Sequence, residues 1–204
     1  GEVLFRQAEF GRRYFREKFG CDIRIGYSVD SFGQNAGLPK ILNATGFDRY
    51  VFMRPMAEEK TMPYLFRWRG DGGSEVVTLR VRQAYCTMPG WKEKTQLFDW
   101  IDRLIAEGDE HQTFFFGVGD HGGGIYERQL EWLLEAAETR DIEFSTLAHY
   151  FDTIEKTELP VYEGELTHHS PGCYSAVSMV KRQFAAVERS LFKAEKLVLE
   201  SPGP

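Results

Sequence analysis

Ile25-Gly26-Tyr27-Ser28-Val29-Asp30-Ser31-Phe32-Gly33-Gln34-Asn35-Ala36-Gly37-Leu38-Pro39 is an apolar, partly β-branched run that ends on one carboxylate, turns at a glycine and passes into a segment with proline in its first turn. That pattern predicts a strand over residues 23–30 and a helix over 36–45, joined by a loop. In an α/β fold a strand delivers its last side chain to the carboxyl edge of the sheet, where ligands bind. Asp30 therefore has two readings: a carboxylate presented at that edge, or a cap for the helix that follows.

Outward from this stretch the elements alternate. Residues 3–19 carry Phe5, Phe10, Tyr14, Phe15 and Phe19 among polar neighbours and predict a helix, with Gly20 at its stop. Tyr50-Val51-Phe52-Met53 is a short apolar run typical of a strand buried on both faces, and Arg54 stands at its end. Residues 64–69 and 75–81 flank Gly70-Asp71-Gly72-Gly73-Ser74 and predict a β-hairpin, either a substrate-side rim or plain scaffold. Residues 93–107 form an amphipathic pattern with Phe98, Ile101, Leu104 and Ile105 on one face. A buried strand is expected over 113–118, ending at Asp120-His121, then a helix over 128–138, a short strand over 142–144 and a helix over 147–154 capped by Ser145.

This alternation predicts an α/β fold with a parallel sheet, or an incomplete parallel β/α barrel, over residues 1–160. From residue 159 onward Pro160, Gly164, Pro171 and Gly172 punctuate a loop. Beyond it Val177, Val180, Phe184, Val187, Leu191, Ala194 and Val198 recur at steps of three and four. So long a stripe wants partner helices, and residues 161–204 are expected to hold a loop and the first helix of an α-helical bundle.

Composition narrows the partners. In 204 residues the formal charge is −6, and the isoelectric point is near 5.5. Phosphate-backbone recognition needs a basic face, and this net charge argues against it, so no nucleic-acid partner is expected. No apolar run approaches the roughly 20 residues that cross a bilayer, and the first residues lack a signal-peptide pattern, so neither a membrane partner nor export is expected. Cys21, Cys86 and Cys173 are widely spaced and make no metal-type pair. They suit a reducing compartment, and a cytoplasmic location is the expectation.

Three clusters at loop edges could carry chemistry: Asp30, Asp120-His121 and His168-His169. Around them, Gly26-Tyr27-Ser28-Val29-Asp30-Ser31-Phe32-Gly33-Gln34-Asn35-Ala36-Gly37-Leu38-Pro39-Lys40-Ile41-Leu42, the Asp-Gly-Ser hairpin, Gly117-Val118-Gly119-Asp120-His121-Gly122-Gly123-Gly124 and His168-His169-Ser170-Pro171-Gly172-Cys173-Tyr174-Ser175 stand in order. These four stretches resemble the family 38 glycoside hydrolases, the retaining α-mannosidases, over nearly the whole chain. The resemblance implies hydrolysis of terminal α-mannosidic bonds with zinc as cofactor. It implies that Asp30 is both nucleophile and zinc ligand, that His169 is a second zinc ligand, and that Asp120 is the general acid/base. Arg54, His168, Phe32 and His121 would line the substrate site, and a mannoside or mannose-containing glycan would be the partner.

The residue types suit that chemistry. A retaining glycosidase needs two carboxyl groups about 5–5.5 Å apart, one attacking the anomeric carbon and one protonating the leaving oxygen. Zinc accepts imidazole nitrogen together with carboxylate oxygen. Arg54 could pair with Asp30 and orient it, or belong to an ordinary surface ion pair.

The sequence also departs from the family pattern. No His-x-Asp motif stands upstream of Asp30, so half of the family's zinc ligands are missing. Gln34 stands where His is usual, Ile125-Tyr126 where Pro-Thr is usual, and Val177 where His is frequent. The expectation is an internal piece of a longer enzyme that binds zinc weakly, cleaves aryl α-mannosides poorly, and works with the rest of its polypeptide, with a homo-oligomer left open. Two other classes stay in view: a metal-dependent polysaccharide deacetylase-like hydrolase, in which Asp30 activates water, and a non-catalytic carbohydrate-binding remnant.

Overall fold

β2 (Arg49–Phe52) shows how the sheet divides the core. Successive strand side chains point to opposite faces. Tyr50 and Phe52 join Phe66, Trp68, Val76 and Leu166 on one side, while Val51 and Met53 join Val29, Leu79, Val81, Tyr150 and Phe151 on the other. A computed structural model describes residues 1–86, 91–108, 112–119 and 123–201. In order, the remaining elements are α1 (Glu2–Phe19), β1 (Ile25–Ser28), α2 (Leu38–Ala44), β3 (Leu65–Arg69), β4 (Glu75–Arg80), α3 (Lys94–Ala106), α4 (Glu127–Thr139), α5 (Leu147–Thr153), β5 (Val161–Glu163) and α6 (Ser178–Glu200).

The five strands make one sheet in the order β1-β2-β4-β3-β5. β1, β2 and β4 are parallel neighbours, β3 is antiparallel to β4, and β5 is parallel to β3. The described sheet is thus mixed rather than all parallel. The predicted hairpin is the cause: its second strand enters beside β2, so its first strand must run backwards along the outer side. The turn between them needs left-handed backbone at Gly72 and Gly73, with φ of 74° and 79°.

Two expected strands are not strands. Residues 113–118 and 142–144 join no ladder, and instead both segments line a cavity of about 710 Å³. Phe114 packs edge-on against Trp100 of α3 at 4.9 Å, and Phe115 packs against the Val51 side of the sheet. Packing of this kind does not require strand pairing: Phe114 and Phe115 are partly buried, while Phe116 is exposed and meets the Phe144 ring edge-on at 5.6 Å. Conversely β5 arises where only a loop was expected. The cap of α5 is Thr146, whose Oγ1 accepts from the His149 N–H at 3.2 Å, not Ser145.

The chain divides into two compact units, Gly1–His169 and Ser170–Pro204. In the second, α6 keeps the expected apolar stripe, and none of its residues is buried. No helix among the described residues is long and apolar enough to cross a membrane.

Candidate functional site

Asp30 and Arg54 meet because of register. β1 and β2 run parallel with Ser28 opposite Phe52, so the residues two places beyond each, Asp30 and Arg54, leave the same edge of the sheet side by side. Adjacent strands are about 4.8 Å apart, within reach of a long guanidinium. Arg54 Nε donates to Asp30 Oδ1 at 2.6 Å. Asp30 is half exposed, and exposed ion pairs contribute about 0–1 kcal/mol, so the bond matters for placing the carboxylate more than for stability. β1 itself ends at Ser28, and Ser28 Oγ meets Ser31 Oγ at 2.6 Å across the turn. Asp30 therefore sits in the loop beyond the strand rather than at its last position, and it does not cap α2, whose N-cap is Gly37.

His169 arrives from 139 residues away through two anchors. Leu166 is fully buried in the Trp68 side of the core. Its backbone makes a two-bond bridge with Gln34, at 2.8 Å and 3.0 Å, which ties residues 166–169 to the loop after Asp30. Gly33 permits this approach: its φ is +129°, and a Cβ there would stand 3.2 Å from the Leu166 carbonyl oxygen and 3.1 Å from Thr167 Cγ2. Among the described residues the buried side-chain Nε2 of Gln34 has no hydrogen-bond partner, and it is the Gln34 backbone that makes the bridge.

The bridge sets His169 against Arg54 and Glu59. Arg54 Nη1 lies 3.0 Å from His169 Nε2, and His169 Nδ1 lies 2.8 Å from both carboxylate oxygens of Glu59. Because a guanidinium can only donate, Nε2 accepts, and the imidazole proton resides on Nδ1 facing the carboxylate. Phe32 closes one side, edge-on to His169 at 4.9 Å and with the Arg54 guanidinium 5.5 Å above its ring. Asp30, Arg54, Phe32 and His169 are thus brought together as one cluster. His168 is exposed and takes part in none of these contacts. Asp120 and His121 lie outside the described residues.

Glu59 is the member that sequence reasoning missed. It lies in the turn after β2, where its Oε2 accepts from the Met56 N–H at 2.7 Å. That backbone bond, and next the neighbouring imidazole, hold its carboxyl below the ordinary value of 4.5. A depressed carboxyl contributes stability that is present above its unfolded-state value and is lost as pH falls through the folded-state value. The melting temperature is therefore expected to fall more steeply below pH 4.5 in the natural protein than in Glu59→Gln, with the two curves parallel above it. Superimposable acid limbs in thermal melts would contradict this assignment.

The donor set fits a divalent metal in part. A carboxylate oxygen and an imidazole nitrogen, the latter oriented by a carboxylate on its other nitrogen, are a familiar pair for zinc. Asp30 and His169 would hold it. Among the described residues no group of three or more His, Cys, Asp or Glu is arranged to hold a metal ion, so Asp30 and His169 do not by themselves make a metal site.

Comparison with known proteins agrees with the α/β fold. The family described as "Glycosyl hydrolases family 38 N-terminal domain" matches residues 1–165. Alpha-mannosidase G of Dictyostelium discoideum is 29% identical over 97% of this chain and 19% of its own length. Alpha-mannosidase 2C1 of Homo sapiens is 26% identical over 97% of this chain and 20% of its own length. The chain thus spans about a fifth of the length of the curated relatives it matches. Among solved structures, an alpha-mannosidase from Enterococcus faecalis superposes with a TM-score of 0.66 at 19% identity, over 81% of this chain and 20% of that one.

Proposed function

The chain belongs to the family 38 glycosyl hydrolases, and from that membership we propose that it carries the nucleophile and part of the metal site of a retaining α-mannosidase. The observation that supports this reading most is the convergence of Asp30 Oδ1 and His169 Nε2 on one guanidinium, from sequence positions 139 residues apart. Two potential ligands meeting at the carboxyl edge of a sheet are where such chemistry is expected.

In this reading Asp30 attacks the anomeric carbon of a terminal α-mannoside and forms a glycosyl-enzyme, while Asp120 protonates the leaving oxygen and then deprotonates the water that completes hydrolysis. Arg54 orients Asp30 through Nε and leaves the second carboxylate oxygen available to the sugar. Glu59 holds the His169 ring in the tautomer whose Nε2 carries the lone pair. Phe32 excludes water from one side of the imidazole and offers an apolar face to the sugar ring. When bound, a zinc ion would supply positive charge beside the nucleophile and an open position for sugar hydroxyls. The substrate class is a mannoside or a mannose-containing glycan.

Zinc titration tests the metal half of this proposal. Loss of an outer-shell partner of a metal ligand commonly weakens affinity roughly 10–100-fold, so loss of a ligand should cost at least as much. The chain is expected to bind a single zinc ion weakly, and Asp30→Ala and His169→Ala are each expected to reduce that affinity at least about a hundredfold. Equal zinc affinity in all three proteins would remove these two residues from the metal site.

A further inference from the structure

Arg80, the last residue of β4, stands opposite Phe52 in the ladder and is only 2% exposed. Backbone and an aromatic ring, rather than a carboxylate, hold its guanidinium. Nη1 donates to the Lys60 carbonyl at 2.8 Å, Nη2 donates to the Met62 carbonyl at 3.1 Å, and the group lies 4.7 Å over the Tyr64 ring. Its Nε is buried with no hydrogen-bond partner among the described residues, and burial works against its charge. A buried cation held in this way is costly, and an apolar side chain of similar volume commonly serves a core as well or better. The role of Arg80 therefore lies in the two carbonyls it holds.

Both carbonyls belong to the loop over residues 54–63, which carries Arg54 to Asp30 and Glu59 to His169. Lys60 extends the hold to a second segment. While its carbonyl takes Arg80, its Nζ donates to the Glu165 carbonyl at 2.7 Å, one residue before the Leu166–Gln34 bridge. Asn35 Nδ2 closes the chain of contacts by donating to Glu165 Oε1 at 2.9 Å. We propose that Arg80 is a positioning residue: through the Lys60 and Met62 carbonyls it fixes the 54–63 loop, and through Lys60 the 164–169 segment, so that Glu59 and His169 are brought to the Asp30–Arg54 pair. The inference rests on the α-mannosidase reading above only for the use made of that cluster.

Amide hydrogen exchange followed by NMR tests this on the chain and on Arg80→Met, which keeps an apolar side chain there but has no donor. Three amides report: Lys60, bonded to the Met56 carbonyl at 3.1 Å; Leu166, bonded to the Gln34 carbonyl at 3.0 Å; and Val77 of β4, bonded to the Asp48 carbonyl at 3.0 Å. In Arg80→Met the Lys60 and Leu166 amides are expected to exchange at least about tenfold faster, while Val77 keeps its rate. Arg80→Lys, which retains the charge but cannot reproduce the two-pronged grip, is expected to restore part of the lost protection at both positions. Unchanged rates at Lys60 and Leu166 overturn the proposal, and so does equal acceleration at Val77, which would make Arg80 a support of the sheet. Should Arg80→Met fail to fold, Lys60→Met decides: exchange at Leu166 is expected to rise at least about tenfold with Val77 unchanged, and an unaltered Leu166 rate overturns the proposal. Because exchange is read without substrate, failure of the natural chain to cleave a mannoside would overturn the reading of the site and not the role of Arg80.

Discussion

Asp30→Ala is expected to lower the cleavage of an aryl α-mannoside by at least about a thousandfold, since in the proposed mechanism it removes the attacking group and with it the step that every other residue assists. Loss of rate alone would also follow if Asp30 only placed a metal or Arg54. Adding azide separates the roles: the space left by the carboxylate admits a small anionic nucleophile that attacks the same face of the sugar. A nucleophile variant should recover rate and release β-mannosyl azide. A variant affected only through placement would recover neither, and activity within tenfold of the natural protein would exclude Asp30 from the chemistry.

The second large effect lies in the core. Trp68 is wholly buried on β3, with its ring 5.8 Å from that of Tyr50, and its Nε1 donates to the Gly164 carbonyl at 2.8 Å. Trp68→Ala is expected to cost about 3–5 kcal/mol from lost burial and the residual cavity. Trp68→Phe should cost less, about 1–3 kcal/mol, for the lost hydrogen bond to Gly164 and the space the smaller ring leaves. Gly164 begins the segment that carries Leu166 to Gln34 and His169 to Arg54, so the alanine variant should also bind zinc more weakly than the phenylalanine variant. Urea denaturation midpoints with zinc titrations measure both effects. An unfolding free energy of Trp68→Ala within about 1 kcal/mol of the natural protein would show that this side chain does not hold the sheet to that segment.

What could be read from the sequence follows from the range of each interaction. α1 and its glycine stop, the hairpin and the amphipathic helices depend on neighbours a few residues apart, and they stand where periodicity placed them. Gly20 ends α1 with φ 66°, as the stop required. The alternation of Tyr50, Val51, Phe52 and Met53 between two faces was equally legible as a strand buried on both sides. Neighbour relations within the sheet were not. A hairpin pattern states that β3 and β4 pair, but not that β4 is the one beside β2. β5 is three residues long, largely exposed and preceded by Pro160, so it lacks the apolar run by which a strand is recognised. Residues 113–118 have that run and make no ladder, because burial alone does not distinguish a paired strand from an extended segment packed on helices.

The site divides in the same way. Asp30 and Arg54 were accessible because each follows a recognisable strand, and parallel register does the rest. His169 could be named only through resemblance, since nothing local says that Leu166 will bridge to Gln34. Glu59 had no signal beyond an acidic pair, Glu58-Glu59, after Arg54, and its partner lies 110 residues away. The exposure of His168 beside a part-buried His169 depends on how the loop enters the core, and adjacent identical residues give no means of choosing between them.

Peptide mapping after incubation with a fluorinated mannosyl fluoride, in the presence of zinc, tests the central assignment most directly. One fluoromannosyl adduct is expected, on the peptide that contains Asp30, and none in Asp30→Ala. An adduct on another carboxylate, or release of acetate from an acetylated sugar with no adduct at all, would contradict it.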